Sequence, residues 1–187
     1  MISAAKVDRA ALVRRALIEL VAANGFRGTS MSAVAERAGV ATGTAYVHYG
    51  SKDDLVLAAY REVKAELGIA ALAAVDATTP PDMRFRQLWH ATYNHLATDP
   101  VRARFLVQVQ ASPYATQAHE AALGDDELMQ APILQDVVAM LIELPLTVLW
   151  DISLGPAIRL AASPNKPLSK AELQRVAEAC WRAASSA

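Results

Sequence analysis

Along almost the whole chain, apolar residues return every three or four positions, the spacing of one helix face, and no run alternates as a strand does. Leu12, Ala16 and Leu20, flanked by Val13, Leu17 and Val21, predict a helix over about 8–24 with Asp8 as its cap. Asn24-Gly25 ends it, and Phe26 folds back onto the core. Met31, Val34, Ala35 and Ala38 mark a second, short helix that Gly39 stops and reverses, with Val40 as a plug in the corner. A third is expected from about Thr42 to Tyr49. It opens on hydroxyls and a glycine, which are poor helix formers. That opening makes sense if the helix start must come close to a partner. Ser51, with Asp54 three residues on, then starts a fourth helix near Lys52. Leu55, Ala59, Val63, Leu67 and Leu72 carry it to about Val75, long enough to join a small N-terminal unit to a larger body.

Thr78-Thr79-Pro80-Pro81 breaks the pattern. Beyond it, Asp82 is expected to cap a helix reaching about Thr98 on Phe85, Leu88, Trp89, Thr92 and Leu96. Asp99-Pro100 starts the next, with Phe105, Leu106 and Val109 inside and a stop at Ser112-Pro113. From Tyr114 to Leu144 the chain reads as helical, with an interruption at Gly124-Asp125-Asp126 and a second start near Pro132. Pro145 opens another helix, interrupted or kinked at Gly155-Pro156. Ser169 and Glu172 box the start of a last helix that runs to about Ala184. The expected class is all-α, with about nine helices: residues 1–52 form a three-helix helix-turn-helix unit, and residues 53–187 form a helical body.

Composition narrows this further. With 53% hydrophobic and 20% charged residues, a sizeable helical core is within reach and disorder is excluded. The net charge of −1 conceals an asymmetry. Residues 1–52 hold seven basic and three acidic side chains, giving +4; residues 53–187 hold eleven and sixteen, giving −5. A basic head on an acidic body suits a DNA reader. The single cysteine, Cys180, excludes an internal disulfide framework and fits a reducing compartment. No secretory signal is visible, and the longest apolar run, Val137 to Trp150, is broken by Glu143 and Pro145. The expectation is a soluble, cytoplasmic protein with no membrane association.

The residues Ala16, Leu20, Gly25-Phe26, Thr29-Ser30, Val34-Ala35, Ala38-Gly39-Val40, Thr42-Gly43-Thr44, Tyr46, His48-Tyr49, Ser51-Lys52 and Leu55 together resemble the DNA-binding domain of the TetR family of transcriptional regulators. The remainder of the chain carries no comparable motif. Two positions depart from the family pattern: Ala41 stands where Ser is common, and Tyr49 where Phe is usual. The resemblance implies a helix-turn-helix in which Thr29, Ser30, Thr42, Gly43, Thr44, Tyr46, His48 and Lys52 meet double-stranded DNA. Threonine hydroxyls suit phosphates or base edges, their methyls suit thymine, and Gly43 lets backbone approach backbone. No Arg, Asn or Gln lies between Ala38 and Gly50, so the strongest bidentate base readers are missing. Direct readout is therefore expected to be modest, with DNA shape supplying part of the specificity.

The resemblance also implies a homodimer built by the last two helices as a four-helix bundle, on a palindromic operator. Leu149, Trp150, Ile152, Leu160, Leu173, Val176, Cys180 and Trp181 permit it, being more apolar surface than a terminal hairpin needs. A pocket for a small hydrophobic effector is implied in the body, with Trp89, Tyr93, Gln108, Tyr114 and Met129 as candidate lining. The chemistry of an enzyme is weakly supported. His90 and His95 are five apart and share no helix face, His119-Glu120 adds little, and no HExxH, GxSxG, phosphate loop or GxGxxG follows a strand. No catalytic residue, metal or cofactor is expected. The alternative is a small-molecule carrier or enzyme with a vestigial helix-turn-helix.

Overall fold

The computed structural model describes residues 8–123, 131–163 and 167–186. Within them the order is α1 (Arg9–Asn24), α2 (Met31–Ala38), α3 (Thr42–His48), α4 (Lys52–Leu72), α5 (Pro81–Thr98), α6 (Pro100–Gln110) and α7 (Ala115–Leu123). A 3₁₀ turn (Pro132–Leu134) leads into α8 (Gln135–Ala139), followed by α9 (Leu146–Ser153), α10 (Gly155–Ala162) and α11 (Lys170–Ala184). Among the described residues these are eleven α-helices where about nine are expected. The starts near Pro132 and at Pro145 are where the sequence puts them, and Gly155-Pro156 interrupts the chain so that α9 and α10 are separate.

The ends are set by local chemistry. Asp8 accepts from the amides of Ala10 and Ala11, Ser30 from Ala33 and Ser51 from Asp54, so α1, α2 and α4 begin on side-chain caps. Gly39, at φ 67° and ψ 32°, takes the left-handed conformation that reverses the chain after α2. Ser169 and Glu172 form a complete capping box at α11. At α5 the cap is Pro80, with Pro81 at the first helical position. Asp82 lies inside the first turn, paired with Arg86 rather than capping. α4 stops at Leu72, short of Val75. The segment 140–145 is not helical: Leu141 makes an isolated antiparallel bridge with Ser185, and the Ile142 amide donates to the Ala184 carbonyl at 2.9 Å. The interruption expected at Gly124-Asp125-Asp126 lies outside the described residues.

α1 packs on α2 and α6, α10 on α5 and α6, α4 on α5 and α7, and α11 on α5 and α9. Two hydrophobic cores result. One joins Val13, Leu17, Val34, Leu55 and Val63 of the first four helices to Leu96, Phe105, Leu106 and Ile158 of the body. The other gathers Phe85, Leu88, Trp89, Leu134, Val137, Leu173 and Trp181.

Polar ties fix the head of the molecule. Glu19 of α1 accepts from Arg37 of α2 at 2.7 Å and from Arg15 at 3.0 Å, and these guanidiniums hold its carboxyl below the usual range. Arg14 pairs with Glu62 of α4 and donates to the Tyr49 hydroxyl at 2.6 Å; that hydroxyl donates to the Ala10 carbonyl at 3.2 Å. The Tyr that replaces the family's usual Phe therefore has work for its oxygen. Tyr49→Phe is expected to cost about 1 kcal/mol of stability in urea unfolding, the net value of such bonds; no loss would mean that Arg14 turns fully to Glu62.

Candidate nucleic-acid interface

α3 is a seven-residue helix in which only Ala45 is buried. Its cap residue, Ala41, makes no side-chain cap bond, and Thr42 is the first helical residue rather than the cap. Thr42, Gly43, Tyr46, Val47 and His48 are exposed, and a Cβ added at Gly43 would meet nothing within 4 Å. Thr44 is half-buried. A helix that contributes one alanine to the core and turns the rest outward is held by its neighbours for what its surface offers.

Around it the expected contact residues divide. Ser30 is exposed, with its oxygen capping α2 and 2.9 Å from the Ser32 hydroxyl. Thr29 is withdrawn: it is buried, and its hydroxyl donates to the Gly25 carbonyl at 2.9 Å. It holds the α1–α2 turn, and its one hydroxyl proton is already donated, leaving none for a phosphate. Lys52 is half-buried; its ammonium donates to the Phe26 carbonyl at 3.0 Å and lies 5.8 Å from the Phe26 ring centre. Two exposed residues escaped sequence reasoning. Arg27, in the α1–α2 turn, carries a full charge at this end of the molecule. Val47 is apolar, yet it is 83% exposed. Its signal was the helical phase of Ala45, which places Val47 off the buried face.

Of the described candidate effector residues, Trp89 and Tyr93 meet, while Gln108 and Tyr114 lie elsewhere. Trp89 is fully buried in the second core, and Tyr93 stacks on it with ring centres 6.3 Å apart. Gln108 is exposed, with its side-chain oxygen beside Gly25, so it belongs to the α1–α6 contact. Tyr114 packs on Phe26 at 4.9 Å and donates to Asp53 at 2.8 Å, joining the body to the α1–α2 turn and the start of α4. Met129 lies outside the described residues. An apolar cavity of about 50 Å³ does exist between Phe85, Leu88, Leu134, Val137, Leu149 and Trp150.

Burial, with the Asp53 carboxylate next, pushes the Tyr114 phenol up to about 12. A raised folded value gives stability that is complete below the ordinary phenol range, near 10, and is lost as pH rises toward 12. Tyr114→Phe is expected to flatten that alkaline limb in unfolding curves taken across this window; an unchanged limb would assign it to other groups.

The expected interface residues divide as well. Leu149, Leu173, Cys180 and Trp181 are buried within the subunit, the last tilted against Phe85 at 5.2 Å. Trp150 lies beneath the Lys64 ammonium, 3.6 Å from its ring centre. Ile152, Leu160 and Val176 are half-buried; Ile152 and Val176 share an open apolar groove with Pro156, Leu168 and Ala179. Burial pushes the Cys180 thiol up, against the opposing indole of Trp89, the setting of a packing cysteine and not a nucleophile. Among the described residues no cluster of His, Cys, Asp or Glu could hold a metal, and no helix is long and apolar enough to cross a membrane.

A short helix capped by Ser30, a tight left-handed turn at Gly39, an outward second helix and an all-helical body define a helix-turn-helix regulator. Residues 13–59 match the family of bacterial regulatory proteins of the tetR type, and residues 80–185 match the tetracyclin repressor-like C-terminal domain. The chain belongs to the TetR family of DNA-binding transcriptional regulators, whose members act as dimers. It is 27% identical to an uncharacterized HTH-type transcriptional regulator of Haemophilus influenzae, over 96% of this chain and 97% of that protein. A solved TetR-family regulator from Haemophilus influenzae superposes with a TM-score of 0.71 at 27% identity, covering 96% of this chain and 97% of that one. The fatty acid metabolism regulator protein of Bacillus subtilis is 36% identical over 47 residues, 25% of this chain and 24% of that protein.

Proposed function

We propose that the protein is a ligand-responsive repressor that reads a palindromic operator as a homodimer. Residues 1–52 serve as the reader, and residues 53–187 carry the effector site and the dimer contact. The observation that carries the reading is α3, which buries one residue of seven and presents Thr42, Gly43, Tyr46, Val47 and His48 outward. Ser30 and Arg27 flank it for phosphates, and Lys52 steadies the turn. Two such helices roughly 34–36 Å apart reach successive major grooves. The half-buried Ile152, Leu160 and Val176 of α9–α11 support the pairing surface.

An effector acts only by preferring one spacing of the readers over another. The 50 Å³ apolar cavity is well below the roughly 300 Å³ of a small-molecule site, so a ligand entering there must part α5, α8 and α9. The lining favours a small apolar compound.

A gel-shift with duplex from upstream of its own gene tests the reading. The expected result is a salt-sensitive complex with two protomers per duplex and a two-fold symmetric footprint. A monomer that ignores every duplex at low salt would refute it.

A further inference from the structure

Val47 is 83% exposed, the highest value for a large hydrophobic residue among those described. Folding gives no reason for it. A β-branched valine is a weaker helix former than alanine, and α3 is anchored through Ala45 alone. Its position supplies one. Gly43, Tyr46 and Val47 share a helix face at spacings of three and four, and the space over Gly43 is open. That face carries no guanidinium and no amide, so it cannot make bidentate bonds to purines. What it offers most prominently is an isopropyl group. In the major groove only thymine presents a methyl.

We infer that Val47 is a specificity-determining residue that packs on the C5-methyl of one thymine in each half-site. The inference rests on α3 being the reading helix. Methyl-to-isopropyl contact excludes water from both groups, and losing one such contact weakens binding about fourfold per half-site. It adds nothing to affinity for phosphates, so the salt dependence stays as it is.

The test begins with selection of duplexes from a random pool by the wild-type protein and by Val47→Ala. The expected wild-type consensus holds a symmetric pair of thymines that Val47→Ala no longer demands. In the selected duplex, deoxyuridine, which lacks only the methyl, then replaces each of those thymidines. It should weaken the wild type about fourfold per half-site and leave Val47→Ala unaffected. Val47→Thr, which keeps one methyl, should retain part of the discrimination. The thermal midpoint of Val47→Ala should be unchanged or raised, which separates lost recognition from lost folding. Equal sensitivity of both proteins to deoxyuridine, or a wild-type consensus without the thymines, overturns the inference alone. A wild type that selects no duplex overturns the reading of α3 as well; Val47 would then belong to a protein contact.

Discussion

Gly43→Glu is expected to fold like the wild type and to bind operator DNA on the order of a hundredfold more weakly, about 2.7 kcal/mol. Gly43 lies outside the left-handed region, and its added Cβ meets open space. Glutamate is also the better helix former, by roughly 0.5–1 kcal/mol over glycine. Near the first turn of α3 its charge is favourable as well. The folded monomer therefore tolerates or welcomes the change. Against a duplex the same carboxylate stands between helix and groove, where phosphates crowd it. Two like charges 4 Å apart repel by about 1 kcal/mol in water and about 4 kcal/mol near a protein surface, and a dimer meets this twice. Fluorescence anisotropy with labelled operator gives the affinity, and a thermal melt gives the stability. Gly43→Ala should show a smaller loss of the same kind. Binding by Gly43→Glu within threefold of wild type would place α3 away from the groove.

The largest effect on stability should come from Trp89→Ala, at about 3–5 kcal/mol. Trp89 is fully buried, stacked on Tyr93 and edge-on to His90 at 5.3 Å, in the core shared by α5, α8 and α11. Removing the indole empties a volume that several helices border, and they cannot all close on it. For a chain of this size each kcal/mol moves the midpoint by about 2–4 °C, so a drop of roughly 10 °C is expected. The comparison needs equal protein concentrations, because pairing would itself raise the midpoint. A loss under about 1 kcal/mol would mean that the site relaxes freely.

Sequence periodicity located most helices because caps and breakers are local. Ser30, Gly39, Ser51 and Ser169 act where they stand in the chain. Asp82 misled because Pro80-Pro81 already sets the entry to α5, leaving the carboxylate for Arg86. The stretch 140–145 is held by hydrogen bonds to residues 184–186, partners remote in sequence that no local pattern announces. The same distinction governs the sites. The outward face of α3 follows from helical phase around Ala45. Which aromatic faces which does not: Tyr114 and Gln108 look like pocket residues by type, but tertiary packing delivers them to Asp53 and Gly25. Thr29 likewise carries a hydroxyl suited to phosphate and spends it on a carbonyl four residues back. Leu149, Leu173 and Trp181 exceeded what a hairpin needs because α5 and α8 also draw on them.

One apolar assembly runs without a seam from Val13 of α1 through Leu55 of α4 to Phe105 of α6 and Ile158 of α10. A chimera that grafts residues 1–52 onto the trunk of a relative would leave Val13 and Leu17 facing foreign side chains. Such a head transplant keeps its footing only if the receiving faces of α6 and α10 travel with it.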